Sequence, residues 1–146
     1  MNMTEVSDKA QQYYLEGLKH YGEDDYSAAA ESQRKALEQA PDWTEAMHGL
    51  SMALMHSGQV DEAIAIGQRI CELDSEDAFA HTSLSMFYQR KSVIAREEGD
   101  TEASMGFIED AEREGAKARM ISWKEELKKN PDAPPPGPAG SMDVIQ

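Results

Sequence analysis

Apolar residues recur at helical spacing through the middle of the chain. Met47, Leu50 and Leu54 form one series, and Ala63, Ile66 and Ile70 form another. Steps of three and four residues mark the buried face of a helix. Between the two series lies Ser57-Gly58-Gln59, a tight-turn sequence. Residues 44–77 are therefore predicted to form a hairpin of two amphipathic helices. Shifted by thirty-four residues, this stretch finds copies of itself on both sides. Upstream, Tyr26 matches Val60, Ala29 matches Ala63, and Asp24-Asp25 matches Gly58-Gln59. Downstream, Ala46 matches Ala80 and Leu50-Ser51-Met52 matches Leu84-Ser85-Met86. A helical hairpin recurring at this period specifies a stacked array, in which each unit buries its apolar face against its neighbours.

The same reading extends to the flanking hairpins. Ser7 or Thr4 can cap a first helix running to about Tyr21, with Tyr13, Gly17 and His20 towards its partner helix. Gly22 to Asp25 supply the turn. A second helix over 26–40 turns Ala29, Gln33, Ala36 and Leu37 to its neighbours, and Pro41 stops it. After the middle hairpin, Asp74 or Ser75 offers a cap for the next helix. The third hairpin departs from the period. Its turn is due near Ser92, yet helical sequence continues and the turn signal is Gly99-Asp100, seven residues late. Seven residues are almost two turns at about 3.6 residues per turn, so the helix lengthens without rotating its apolar face. An equal extension of the returning helix, over about 101–129, brings Ala111, Gly115 and Ala118 into the packing positions. Met105 and Ile108 would then cover Val93 and Ile94 at the tip. Trp123 and Leu127 would finish the open end of the array, and Asn130-Pro131 stops the last helix.

The expected organisation is a frayed end over 1–5, a repeat domain over 6–130 with repeats at about 7–43, 44–77 and 78–129, and a Pro-rich tail over 131–146. The tail is expected to be extended or disordered on its own, with a short apolar tip of Met142, Val144 and Ile145.

Charge narrows the choice of partner. Fourteen basic and twenty-eight acidic residues leave a formal charge of −14, which repels nucleic acid and anionic membrane surfaces. The single cysteine, Cys71, excludes an intramolecular disulfide. The first residues lack the basic and apolar regions of a signal peptide, and no apolar run approaches the roughly 20 residues of a membrane span. A cytoplasmic location without membrane insertion is the expectation.

Candidate chemistry is sparse. His48, Met52 and His56 share one stripe of one helix, a pattern of donors that suits copper. The two histidines lie about 12 Å apart on a helix, too far for one ion to reach both, so no metal or other cofactor is expected. The acidic runs at Glu23-Asp24-Asp25, Glu97-Glu98, and Glu112 with Glu114 read as solvated surface rather than as a general acid and base. No phosphate-binding glycine loop, nucleophile–histidine spacing or HExxH motif occurs, and an enzyme is not expected.

The repeats resemble the tetratricopeptide repeat family. The marks are Gly17, Asp25-Tyr26, Ala29, Ala36 and Pro41 in the first repeat. Leu50, Ser51 (in place of glycine), Gly58, Ala63 and Ile70 (where alanine is usual) mark the second, and Leu84, Ser85 and Tyr88 the third. The likeness covers roughly residues 10–122; Glu16, His81 and the long third hairpin depart from the pattern. It implies an all-α fold, a right-handed superhelical solenoid of three hairpins with the third elongated, whose first helices line a concave groove for a protein or peptide. Projected onto this sequence, the groove positions are Tyr14, Leu18 and Tyr21, then His48, Met52 and Met55, then Phe79, Thr82, Met86 and Gln89. Leu18, Met52 and Met86 occupy one repeat position three times over. One subgroup of the family grips the carboxylate end of chaperone tails with Lys, Arg and Asn, but here those stations hold Tyr14, Leu18, Gly49, Phe79 and Ser83, so that clamp is missing. Leu50, Leu54, Leu84 and Tyr88 fill the packing positions and leave Met52 and Met86 for an adaptable apolar groove. The expected function is a protein-interaction module for an apolar or amphipathic segment. The alternatives are a small chaperone for an aggregation-prone client and a structural subunit that self-associates through its tail or long third hairpin.

Overall fold

The computed structural model describes residues 6–137, which form six helices: α1 (Asp8–Gly22), α2 (Tyr26–Gln39), α3 (Thr44–His56), α4 (Val60–Leu73), α5 (Ala78–Glu97) and α6 (Thr101–Lys129). They pack in sequence as hairpins and fall into two compact units divided between Leu73 and Asp74.

Four helices start on a side-chain cap. Ser7 Oγ accepts from the Ala10 amide at 3.1 Å. Asp25 accepts from Ala28 at 3.2 Å, Asp77 from Ala80 at 3.0 Å and Asp100 from Ala103 at 3.0 Å. Each satisfies an amide that has no partner within its helix. The α5 cap is thus Asp77, not Asp74 or Ser75. A turn explains the shift: the Asp77 amide reaches the Asp74 carbonyl at 3.2 Å, and Asp74 Oδ1 accepts from Glu76 N at 3.0 Å, so Asp77 is delivered to the helix mouth.

All three hairpins turn the same way. The amides of Asp25, Gln59 and Asp100 bond back to the carbonyls of His20, Leu54 and Ala95 at 2.8–2.9 Å. These are the six-to-one bonds of a Schellman ending. The residue before each adopts the left-handed conformation this requires, with φ of 62° at Asp24, 88° at Gly58 and 84° at Gly99.

In the first unit, Val6, Ala10, Ala36, Ala40, Trp43 and Ala46 form one buried cluster, with Tyr13, Tyr14 and Leu37 packed against it. Leu50, Leu54, Ala63 and Ile70 are buried where α3 meets α4. The α1–α2 crossing depends on glycine. Gln33 is 1% exposed, and a Cβ at Gly17 would lie 2.7 Å from its Cδ, one at Gly49 2.9 Å from its Nε2. One repeat later the sizes are reversed, with Ser51 and Gly67 both buried.

In the second unit, α5 has twenty residues against thirteen in α3, and α6 has twenty-nine. Both helices of the hairpin are therefore extended, α6 further than α5, since α4 has fourteen residues. Ala111 and Ala118 are buried, and Gly115 faces Ser85 across the hairpin. The tip departs from expectation. Met105 and Ile108 are exposed, while Ser92, Ala95 and Ser104 are buried. Small side chains are thus the buried ones at the tip, and the larger apolar ones are turned outward. The start of the tail is also ordered differently. Ala133 N bonds to Asn130 O at 3.0 Å, and the half-buried Trp123 donates its indole N–H to Ala133 O at 3.1 Å. Residues 131–133 thus fold back on α6, whereas Met142, Val144 and Ile145 lie outside the described residues. Among the described residues, no helix is long and apolar enough to cross a membrane.

Candidate functional site

In the first unit the candidate residues come from α1 and α3, which lie side by side. Each end of the face is fixed by rings. Tyr14 packs on Trp43 with centroids 4.8 Å apart. Tyr21 meets His56 edge-on at 5.6 Å, and His56 stacks on Tyr26 at 4.7 Å. Between these ends stand Leu18, exposed, and His48, Met52 and Met55, half-buried. Burial pushes the Tyr14 phenol above its ordinary range, and the Glu45 carboxylate adds to this. The Tyr21 phenol is raised in the same way, by burial first and Asp24 second. Both hydroxyls are therefore neutral donors at ordinary pH, set at the edges of an apolar strip.

In the second unit, α5 carries the remaining four. Phe79 and Met86 are 58% and 37% exposed. Thr82 is exposed, and its hydroxyl donates to Ala78 O at 3.0 Å. Gln89 is exposed, with its Nε2 3.3 Å from Ser85 Oγ, and it also borders a hollow between α5 and α6 that Ile108 and Gly115 line. This surface can offer van der Waals contact and a few hydrogen-bond groups. It contains none of the nucleophile–base arrangements that covalent catalysis requires.

One polar constellation is hidden from a local reading of the sequence. His81 is buried, with Nδ1 2.8 Å from Glu114 Oε1 and Nε2 2.9 Å from Ser75 O. Lys117 Nζ donates to the other Glu114 oxygen at 3.0 Å. Burial pushes the Glu114 carboxyl up, but the hydrogen bonds from His81 and Lys117 and their charges outweigh it and hold the group below its ordinary value. Glu114 is thus a buried anion joining α5 to α6, not part of a solvated acidic run. The available signal is His81 itself: a polar ring at a position where the repeat pattern puts an aromatic needs a partner.

The family model described as tetratricopeptide repeat matches residues 20–83. The photosystem I assembly protein Ycf3 of Synechococcus sp. (strain WH7803) is 23% identical over 122 residues, covering 82% of this chain and 66% of that protein. Ycf3 of Prochlorococcus marinus (strain MIT 9303) is 27% identical over 105 residues, covering 68% of this chain and 61% of the relative. The chain therefore spans somewhat under two thirds of the length of these relatives. Among solved structures, that of MamA superposes with a TM-score of 0.56 at 17% identity, over 83% of this chain and 61% of the other, which establishes a common fold. The matched model describes a repeat family, not a catalytic one. Helix hairpins with a common turn chemistry and a thirty-four-residue period agree with that match, and residues 20–83 are tetratricopeptide repeat sequence.

Proposed function

We propose that this protein-interaction module holds an apolar or amphipathic segment of a partner protein on the faces of its first helices, α1 with α3 in one unit and α5 in the other. The observation that carries the reading is the exposure of Leu18 and Met86, with Met52 half-buried at the same repeat position. Isolated exposed apolar side chains are ordinary, but recurrence at one repeat position gives each unit an apolar first-helix face of the same kind, suited to an extended or helical ligand. Methionine adapts to ligands of different shape. The test is co-purification from the native cell of wild type and Met52→Glu/Met86→Glu. The variant is expected to keep its helicity and lose its partner, and undiminished capture would refute the assignment.

A second reading follows from the relatives. Ycf3 is named as an assembly protein, and a module that shields an apolar segment of a subunit before it is incorporated would perform that kind of task. In this reading the partner aggregates without the module. Light scattering of the partner, once identified, with and without an equimolar amount of this chain distinguishes transient protection from permanent scaffolding.

A further inference from the structure

A second surface, on α6, has chemistry opposite to that of the chain as a whole. Residues 113–129 hold six of the fourteen basic residues against three acidic ones, in a chain of formal charge −14. One of those three acids, Glu114, is buried and held by His81 and Lys117. Arg113, Lys117, Met120 and Lys124 follow one another at steps of three and four residues, so they lie along one stripe of the helix. Ala116 and Ile121 lie beside them, and with Ser75, His81 and one carboxylate, Glu76, from the start of the unit they line an open groove of about 600 Å³ within the second unit. Met120 is 40% exposed on its floor. Arg113 and Lys117 are more than half exposed and reach solvent beyond their neighbours Asp110 and Glu114. The exposed Arg113–Asp110 pair is weak and gives way to a competing carboxylate, and the Lys117 ammonium keeps two donors beyond the one that holds Glu114.

We infer that this groove binds an acidic amphipathic peptide segment, one that lays apolar side chains on Met120 and Ile121 and sets carboxylates against Arg113, Lys117 and Lys124. The stripe from Arg113 to Lys124 is about 16 Å long, the length of roughly five extended residues or three helical turns. Charge complementarity selects the occupant. A basic patch in an acidic protein recruits an acidic chain and steers its approach, and guanidinium matches carboxylate in a two-pronged geometry. The surface is distinct from the first-helix faces, so it allows one chain to hold two segments at once.

The test uses the full chain and fluorescence anisotropy with labelled twelve-residue peptides. One alternates leucine with glutamate, and its counterpart alternates leucine with lysine. The acidic peptide is expected to bind at least ten times more tightly than the basic one, and to weaken as salt is raised. Arg113→Glu/Lys124→Glu, which leaves the Glu114 contacts in place, is expected to lose at least tenfold. Met52→Glu/Met86→Glu is expected to bind the acidic peptide as wild type does, so failure of the first-helix assignment and failure of this one are separable. Equal binding of both peptides, or unchanged binding by the Arg113/Lys124 variant with native circular dichroism, would overturn the inference. So would capture of phosphatidylglycerol vesicles in preference to the peptide.

Discussion

The Gln33 carboxamide donates to the Tyr14 carbonyl at 3.2 Å, running across the helix backbone at a point where residue 17 has no side chain. Gly17→Ala puts a methyl group into the space the carboxamide occupies. Overpacking of this kind costs about 1–3 kcal/mol, against a helix-propensity gain of about 1 kcal/mol. A net loss is expected in urea unfolding, and shortening the opposing chain in Gly17→Ala/Gln33→Ala is expected to recover much of it. If the single variant proves more stable than wild type, the crossing is not tight.

Asp24 is the one described non-glycine residue with positive φ, at a station where the other hairpins use Gly58 and Gly99. Asp24→Gly removes a left-handed strain of roughly 1 kcal/mol and is expected to raise the melting temperature by a few degrees. Gly99→Ala is expected to lower it. The hydrogen bond to Asp24 is the first cause of the raised Tyr26 phenol, so ultraviolet titration of Asp24→Gly should show that tyrosine ionising at lower pH.

The Glu114 carboxyl sits below its ordinary value in the fold. In the unfolded chain it takes up its proton first as pH falls, so the stability it contributes is complete above the ordinary value of 4.5 and is lost as pH falls through the folded one. Chemical denaturation midpoints at pH 7 and pH 3 should therefore differ more for wild type than for Glu114→Gln. Equal differences would remove Glu114 as a source of acid sensitivity.

Much of this was legible in the sequence, and the exceptions share a cause. The α5 and α6 limits follow from the period, because an insertion of almost two turns preserves the buried face. At the tip the same logic puts Met105 and Ile108 inside, where the fold instead buries Ser92, Ala95 and Ser104. Periodicity gives direction but not distance. Glu114 reads as solvated because its neighbours in sequence are charged; its partner is His81, thirty-three residues away. The first-helix residues rest on repeat position, and the exposures of Leu18, Phe79 and Met86 are what the fold adds.

Trp123 reports on the chain that follows α6. Ending the protein at Pro131 removes the Ala133 acceptor and uncovers the indole. With Trp43→Phe to silence the buried ring, a red-shifted emission and stronger iodide quenching are expected. An unchanged spectrum would mean that residues 132–137 do not shield it.

The turn that delivers Ala133 has the same bond as the turns that precede α3 and α5. Trp43 N reaches Ala40 O at 3.1 Å, Asp77 N reaches Asp74 O at 3.2 Å, and Ala133 N reaches Asn130 O at 3.0 Å. The first two lead into helices. The third leads into Pro134-Pro135-Pro136, whose rings cannot sustain one. Asp132 is thus a natural splice point: a helix-forming module grafted there would start in the geometry the earlier repeats use, and the three prolines keep a helix from starting at that turn.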